Sequence, residues 1–279
     1  SWVLGDILHS QPLVVNYGAT GGGYTVENPD MRLLVGSNSG FVHMFKSSDG
    51  QEAWGFFPKE LASILPLRRR DATSSEHVYG MDLTPVAYTL DANADGTIKS
   101  ADGDKVWAFF GMRRGGNSYY ALDITSPNTP SFMWRIGQDV SGFIELGQTW
   151  SEPVVTRISG YRDDEGIPKP VLIFGAGYDT NKDGSGVGTI DSQGRGIFIV
   201  DAQTGALVWS LTPAANDAKN MSAPGLLHAV PGDVTVLDSN ADELTDRIYF
   251  GDTGGNVWRI DLPGNALPSS SQDSWFITK

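Results

Sequence analysis

Short runs of alternating apolar and polar residues, separated by glycines and polar turns, dominate the chain. The segment 33–54, LLVGSNSGFVHMFKSSDGQEAW, shows the pattern as an apolar run, a glycine, a polar loop, an alternating run, a polar turn and a closing tryptophan. Alternation with a period of two predicts β-strands. Helical periodicity is absent over longer stretches, and we expect short helices only in 59–65 (KELASIL) and in part of 214–228.

The same pattern recurs in three further segments, 107–134, 172–209 and 248–264. The glycines that end the first apolar run of each copy are Gly36, Gly111, Gly175 and Gly251. The closing tryptophans are Trp54, Trp134 and Trp209, with Trp275 where the fourth is expected. We expect these aromatic residues to pack in the core.

A further short strand precedes each copy, and each begins with or near a proline: QPLVV, TPVAYTL, EPVVTRI and PGDVTVL. Proline suits a strand start or an edge, because it has no N–H for a central ladder. Four strands per repeat, arranged radially, predict an all-β fold of the β-propeller type with four recognisable blades. The predicted repeats, within one domain or propeller fragment over 1–279, are approximately 11–54, 84–134, 152–209 and 231–275.

Composition narrows the classes of partner. The formal net charge of −13 disfavours nucleic acid and anionic membrane surfaces, and it is compatible with divalent cations. The absence of cysteine excludes disulfides, thiolate metal sites and cysteine nucleophiles. No apolar stretch reaches the roughly 18 residues of a membrane span, so we expect no direct membrane insertion by this domain. The start, SWVLGDILHS, lacks signal-peptide features, and we expect a domain of a longer protein.

Three short loops concentrate carboxylates at alternate positions, which is the arrangement that calcium loops use. In DSNADELTD the candidate metal ligands are Asp238, Asn240, Asp242, the Leu244 carbonyl and Asp246. Glu243 occupies the place where such loops usually have glycine. This compact loop is the first candidate for a Ca²⁺ site.

The second candidate is DANADGTIKSAD, in which the ligands with EF-hand spacing are Asp91, Asn93, Asp95, the Thr97 carbonyl and Asp102. Asp104 is an alternative closing ligand, because Asp104-Lys105 precedes its strand as Asp246-Arg247 does in the first loop. The third and weakest candidate offers Asp179, Asn181 and Asp183 without a clear closing carboxylate. The competing interpretation of all three loops is that they are ordinary turns, in which Asp, Asn and Gly are common.

Catalytic interpretations find little support. His9, His43, His77 and His228 are far apart in sequence and show no paired-ligand spacing. The segment VDAQTGALVW, which begins at Val200, resembles the blade-docking repeat of quinoprotein dehydrogenases, which are propellers that bind pyrroloquinoline quinone and calcium. A dehydrogenase fragment of that type is therefore an alternative function, and a metal-free assembly scaffold is another. We predict that the domain is not an enzyme.

With repeats and loops placed, a closer resemblance covers nearly the whole chain. GDILHSQPLVV, GGNSYYALDIT and DRIYFGDTGGNVWRIDL are similar, in this order, to successive segments of the C-terminal propeller of the PilC/PilY family. These proteins are type IV pilus biogenesis factors and tip adhesins. The resemblance implies a ring of about seven irregular blades, of which four are recognisable here.

The resemblance also implies a function. It places the calcium site of the family on Asp238, Asn240, Asp242 and Asp246, with Glu243 where the family has glycine. It implies an exported protein at the periplasm, outer membrane or pilus tip of a Gram-negative bacterium. The expected partners are pilus components such as minor pilins and a host or abiotic surface. The expected function is support of pilus extension, twitching motility and adhesion, regulated by calcium occupancy.

Overall fold

Strands account for most of the regular structure. The computed structural model describes residues 4–70, 77–184, 188–214, 219–262, 264, 266–268 and 275–279. The chain divides into two compact units, Ser1–Trp134 and Arg135–Lys279, and the boundary falls within a strand. The extent of a single domain over the whole chain therefore stays a prediction. No helix in the described ranges is long and apolar enough to cross a membrane.

The first unit contains two four-stranded antiparallel sheets. The first sheet consists of β1 (Leu13–Asn16), β2 (Met31–Gly36), β3 (Val42–Lys46) and β4 (Glu52–Phe56). The second consists of β5 (Val86–Leu90), β6 (Lys105–Gly111), β7 (Ser118–Asp123) and β8 (Ser131–Gly137). Between them lie the 3₁₀ helix η1 (Lys59–Ile64) and the helix α1 (Leu65–Arg70), and the second sheet carries η2 (Ser100–Asp102) and η3 (Arg113–Gly115). A short helix over 59–65 was expected and is confirmed.

The second unit contains a five-stranded and a four-stranded sheet. The first of these has β9 (Val154–Arg162), β10 (Pro168–Gly175), β11 (Ile197–Asp201), β12 (Leu207–Thr212) and β13 (Asn220–Ser222). The other has β14 (Thr235–Leu237), β15 (Arg247–Gly251), β16 (Val257–Asp261) and β17 (Phe276–Thr278), and η4 is Thr180–Asp183. β13 pairs in parallel with β12. The prediction of a helix in part of 214–228 is wrong for the described residues, because residues 220–222 form β13 of this sheet.

Each unit has its own apolar core, drawn from the inner strands of its two sheets. Trp209 and Trp275 are 1% and 4% exposed, and their rings lie 4.5 Å apart between the third and fourth sheets. Trp134 is also buried and stacks on Phe109. Trp54 is half-buried, and its Nε1 donates to the Pro127 carbonyl of the next sheet. The tryptophans therefore pack in the core or join neighbouring sheets, as expected.

Two of the repeat glycines are required by close backbone approach. A β-carbon on Gly36 would lie 2.2 Å from the Met81 carbonyl oxygen, and one on Gly175 would lie 2.3 Å from that of Val230. The amide of each glycine donates to a buried serine hydroxyl that precedes the repeat, Ser10 or Ser151. The apolar strand and the segment before it are thus held together by the same contact in two repeats.

The turn between β11 and β12 depends on one buried carboxylate. Asp201 Oδ1 accepts the N–H groups of Gln203 and Thr204, while Oδ2 lies 2.5 Å from Lys169 Nζ and accepts the Tyr161 hydroxyl. Burial by itself would raise the pKa of Asp201, but the hydrogen bonds from Lys169, Tyr161 and Thr204 outweigh it and lower the pKa. The Asp–x–x–Thr–Gly segment thus has a structural role in the fold.

We predict that Asp201→Asn lowers the free energy of unfolding at neutral pH by about 2 kcal/mol, because a charged hydrogen-bond network is lost. The lowered pKa stabilises the folded state at neutral pH, and this contribution disappears as the pH falls through the folded-state pKa. The difference between wild type and variant should therefore shrink toward pH 2 in urea unfolding measured over a pH series. The control is Asp49→Asn in the exposed β3–β4 turn, expected to cost less than about 0.5 kcal/mol. A constant difference at every pH would contradict the linkage.

Candidate metal centre

The loops after β14 and after β5 share most of their hydrogen bonds at equivalent positions. In the later loop, Asp238 Oδ1 accepts the N–H groups of Asn240 and Ala241, at 3.2 and 2.7 Å, and also that of Asp242. Its Oδ2 accepts the N–H of Glu243 at 2.8 Å. Burial would raise the pKa of Asp238, but these four backbone donors outweigh it and lower the pKa. The carboxylate is therefore held ionised at the head of the loop.

The earlier loop repeats two of these four backbone contacts. Asp91 accepts the N–H groups of Asp95 and Gly96, and Asn93 Oδ1 accepts the same Asp95 N–H, as Asn240 does for Asp242. The amide nitrogen of each asparagine also lies within hydrogen-bond distance of the next aspartate, at 3.3 Å in the earlier loop and 3.2 Å in the later one. The first aspartate, the asparagine and the second aspartate thus have equivalent roles in the two loops.

The equivalence continues to the end of both loops. Asp95 Oδ1 accepts the N–H of Thr97, and Asp242 Oδ1 accepts that of Leu244. The backbone N–H of the next residue, Ile98 or Thr245, donates to a carbonyl of the preceding sheet region in the same unit. The side chains of Thr97 and Leu244 are buried, so each loop is anchored at this position.

Each loop ends in an aspartate that accepts the N–H of the second loop residue. This contact identifies which residue of the earlier loop corresponds to Asp246. Asp246 Oδ2 accepts the N–H and hydroxyl of Ser239 at 2.8 and 2.6 Å. In the earlier loop it is Asp104 that accepts the N–H of the equivalent residue, Ala92, at 2.8 Å. The N–H groups of Lys99 and Ala92 lower the pKa of Asp104. Of the two alternatives left by the sequence, Asp104 is therefore the structural counterpart of Asp246.

Asp102 lies instead on η2, within the segment 99–103 that the later loop lacks. Its carboxylate is about one-third exposed and lies 3.9 Å from Lys99 Nζ. Lys99 Nζ is also 3.8 Å from Asp95. The structure thus brings Asp91, Asn93, Asp95 and Thr97 together and places Asp102 on the adjoining turn.

The third predicted loop has a different structure. Asp179 is buried and caps η4, with Oδ1 accepting the N–H of Asn181 and Oδ2 accepting the N–H and hydroxyl of Ser192. The Asn181 amide donates to the Ile190 carbonyl, and Asp183 accepts the Tyr178 hydroxyl. Asp179, Asn181 and Asp183 therefore serve separate local contacts and do not converge as the residues of the other two loops do.

The donor set of the two matching loops fits calcium, which prefers carboxylate, amide and carbonyl oxygens. A cleft of about 280 Å³ adjoins the later loop, and it is lined in part by Asn240, Asp242, Asp246 and Asp261. Within the described ranges, no three His, Cys, Asp or Glu side chains lie close enough to hold a metal on their own. An ion in either loop would therefore need the asparagine and main-chain oxygens, together with inward movement of the carboxylates.

The histidines contact carboxylates in separate places. His9 lies 2.6 Å from Asp82, and His43 lies 2.7 Å from Glu52 and 3.1 Å from the Ser37 hydroxyl. This last arrangement has the distances of a serine hydrolase triad. Ser37, however, is only 1% exposed, and its hydroxyl also donates to the Phe41 carbonyl. A nucleophile so enclosed cannot reach a substrate, so these contacts serve packing.

Four sheets, antiparallel except for the β12–β13 pair, carry acidic loops after the first strand of two of them and define a β-propeller domain with candidate cation sites. The family model of the PilY1 beta-propeller domain matches residues 11–275. The chain belongs to this family, and the predicted fold class and resemblance are thereby confirmed.

Similar proteins support the same family membership. The type IV pilus biogenesis factor PilY1 of Pseudomonas aeruginosa is 30% identical over 282 residues, which cover 94% of this chain and 21% of the relative. A PilY1 homologue of Xylella fastidiosa is 27% identical and matches 94% of this chain and 17% of its own length. The crystal structure of the P. aeruginosa PilY1 C-terminal domain matches with a TM-score of 0.56 and 25% identity, over 84% of this chain and 38% of that one. The chain spans about a fifth of the length of the curated relatives it matches.

The two loops differ in backbone strain at the position that follows their second aspartate. Gly96 has a φ of +76°, and Glu243 adopts a φ of +66° at the equivalent position. A left-handed backbone costs a residue with a β-carbon about 1 kcal/mol or more, whereas glycine adopts it freely. No heavy atom lies within 4 Å of the site of a β-carbon on Gly96, so backbone conformation and not crowding limits this position.

We therefore predict that Glu243→Gly raises the free energy of unfolding by about 1 kcal/mol and that Gly96→Glu lowers it by a similar amount. Chemical denaturation of metal-free protein measures both. The control is Glu243→Ala, which removes the charge but keeps the β-carbon and hence the strain. A gain with Glu243→Ala equal to that with Glu243→Gly would show that charge repulsion, not backbone strain, is relieved.

Proposed function

We propose that this chain is a calcium-binding propeller domain of an exported, type IV pilus-associated adhesin and biogenesis factor. The observation that carries the proposal is the hydrogen-bonding pattern shared by two acidic loops of a PilY1-family domain. Ordinary turns that only reverse the chain direction would not need the same arrangement of side-chain oxygens in two loops. Here, loops in two different units place two aspartates and an asparagine in the same hydrogen-bonding arrangement.

In the later loop, Asp238, Asn240, Asp242 and Asp246 would hold the ion with side-chain oxygens, and Leu244 with its carbonyl. In the earlier loop, the corresponding residues are Asp91, Asn93, Asp95, Thr97 and, as the closing carboxylate, Asp104, with Asp102 as the alternative. A bound calcium ion would supply positive charge that offsets the repulsion between carboxylates. The backbone N–H groups that already fix Asp238 and Asp91 would hold the first ligand of each loop in place before the ion arrives.

Regulation by calcium follows if the loops contact partners differently with and without the ion. A ligand shifts an equilibrium only between states that it binds unequally. The carboxylate of Asp242 accepts a hydrogen bond from the Asn240 amide, and that of Asp95 accepts one from the Asn93 amide. Calcium binding would compete with these contacts and thereby rearrange the exposed side of each loop.

The proposed partners are pilus components, such as minor pilins, and a host or abiotic surface. The names of the relatives, type IV pilus biogenesis factors, support this assignment. We propose that the domain acts by binding in pilus extension, twitching motility and adhesion, and that it is not an enzyme. Its location would be the periplasm, outer membrane or pilus tip.

Calorimetric titration of calcium into the chelator-treated chain tests the proposal. We expect binding with a dissociation constant of about 0.1–1 mM, the range of extracellular calcium modules. Asp246→Asn should remove one site and Asp104→Asn the other, whereas Asp102→Asn should leave the stoichiometry unchanged. The matched control is Asp49→Asn, an exposed turn aspartate outside both loops. If no variant alters the heat of binding, or wild type shows none, the two loops are turns without a metal.

A further inference from the structure

The segment 99–103, which the later loop lacks, brings a positive charge beside the earlier loop. The ammonium of Lys99 lies 3.8 Å from Asp95 Oδ2 and 3.9 Å from Asp102 Oδ2. The Lys99 side chain is half-exposed, and both carboxylates are partly exposed as well. Exposed ion pairs of this kind contribute little to folding stability. We therefore expect the charge of Lys99 to act mainly on a ligand of the loop.

The aspartate that closes the earlier loop also fixes the backbone of Lys99. The N–H of Lys99 donates to Asp104 Oδ2 at 2.7 Å, while Asp104 Oδ1 accepts the N–H of Ala92 at 2.8 Å. The residue that carries the ammonium is thereby tied to the same carboxylate as the start of the loop. Because this contact uses the main chain, a substitution of the Lys99 side chain removes the charge and leaves the contact in place.

The ammonium lies near the oxygen of Asp95 that the main chain does not hold. Asp95 Oδ1 accepts the N–H of Thr97 at 2.8 Å. Oδ2 is instead 3.3 Å from the Asn93 amide nitrogen and 3.8 Å from the Lys99 ammonium. Oδ2 can therefore turn toward an ion without breaking a backbone hydrogen bond. An ion that uses this oxygen would be repelled by the charge of Lys99.

The later loop has no equivalent cation. Among the described residues, the Asp242 carboxylate makes no ion pair with a lysine or arginine. Arg247 lines the adjoining cleft, but it pairs with Asp261 at 3.2 Å. The two loops thus share the arrangement of their aspartates and asparagine and differ in the charge that adjoins the second aspartate.

We infer that Lys99 is a tethered counter-cation that partly neutralises the empty earlier loop and lowers its affinity for calcium. When calcium binds Asp95, Asp102 offers the ammonium a second carboxylate, so Asp102 acts on the site through Lys99 and not as a ligand. The inference rests on the proposed calcium function. It adds a regulatory residue to one of the two sites, because the charge of Lys99 sets the calcium concentration at which the earlier loop fills.

Calorimetric titration of calcium into Asp246→Asn protein, in which only the earlier loop is expected to bind, tests the inference at low ionic strength. Adding Lys99→Gln should tighten binding about threefold to tenfold, because one unit charge a few ångströms from a divalent ion is removed. In EGTA, the same substitution should lower the melting temperature by about 1 °C, because the empty loop loses its counter-charge. A substitution that merely damaged the loop would instead weaken both calcium binding and stability.

Two further variants of the Asp246→Asn protein are the controls. Lys99→Arg keeps the charge and should bind calcium as its parent does. Lys59→Gln removes the same charge at an exposed position of the first unit outside the loop. It should change the affinity by less than about twofold, because salt screens distant charges.

The inference alone is overturned if Asp246→Asn protein binds calcium but Lys99→Gln does not tighten binding, or if Lys59→Gln tightens it equally. It is also overturned if wild type binds calcium and Asp246→Asn protein does not, since the earlier loop is then not a site. Absence of binding by wild type and by every variant would overturn the calcium proposal together with this inference.

Discussion

The turns of this protein depend on hydrogen bonds from backbone N–H groups to ionised aspartates. A strand that ends leaves N–H groups without ladder partners, and these groups must find acceptors. Here Asp238 accepts four of them, and Asp201 and Asp252 each accept two. Burial would raise the pKa values of all three carboxyl groups, but hydrogen bonds outweigh it and lower them. The largest of these contributions come from backbone N–H groups at Asp238, from the Lys169 side chain at Asp201 and from the Trp258 side chain at Asp252. The concentration of negative charge in short loops thus has a structural cause that precedes any ligand.

Metal binding, in this account, is an additional use of turns that the fold already needs. A carboxylate fixed by backbone donors loses little conformational freedom when an ion binds, so the loop is partly organised in advance. Glu243 works against this advantage, because its left-handed backbone stores strain that Gly96 avoids. The two loops should therefore differ in affinity although they share most of their hydrogen bonds.

The sequence predicted well what depends on local pattern. Alternation, the repeat glycines and the closing tryptophans predicted four sheets and their buried aromatic contacts, because these features follow from strand geometry alone. The D-x-N-x-D spacing predicted which residues of the two matching loops come together. The sequence also indicated Asp104 as an alternative closing ligand, because Asp104-Lys105 precedes β6 as Asp246-Arg247 precedes β15.

What depends on distant contacts could not be predicted. The insertion 99–103 places Asp102 on a turn, and only the contact between Asp104 and Ala92 shows which aspartate closes the loop. Asp179 has the same local sequence signal, but its hydrogen bonds to Ser192 convert the segment into a helix cap.

The most direct test of the central claim is a crystal structure of the chain grown with calcium. The account predicts an ion in each matching loop about 2.4 Å from the oxygens of its carboxylates, its asparagine and its main-chain carbonyl. The Asn240–Asp242 and Asn93–Asp95 contacts should lengthen as the carboxylates turn toward the ion. Loops that keep these side-chain contacts in saturating calcium, with no ion bound, would contradict the account.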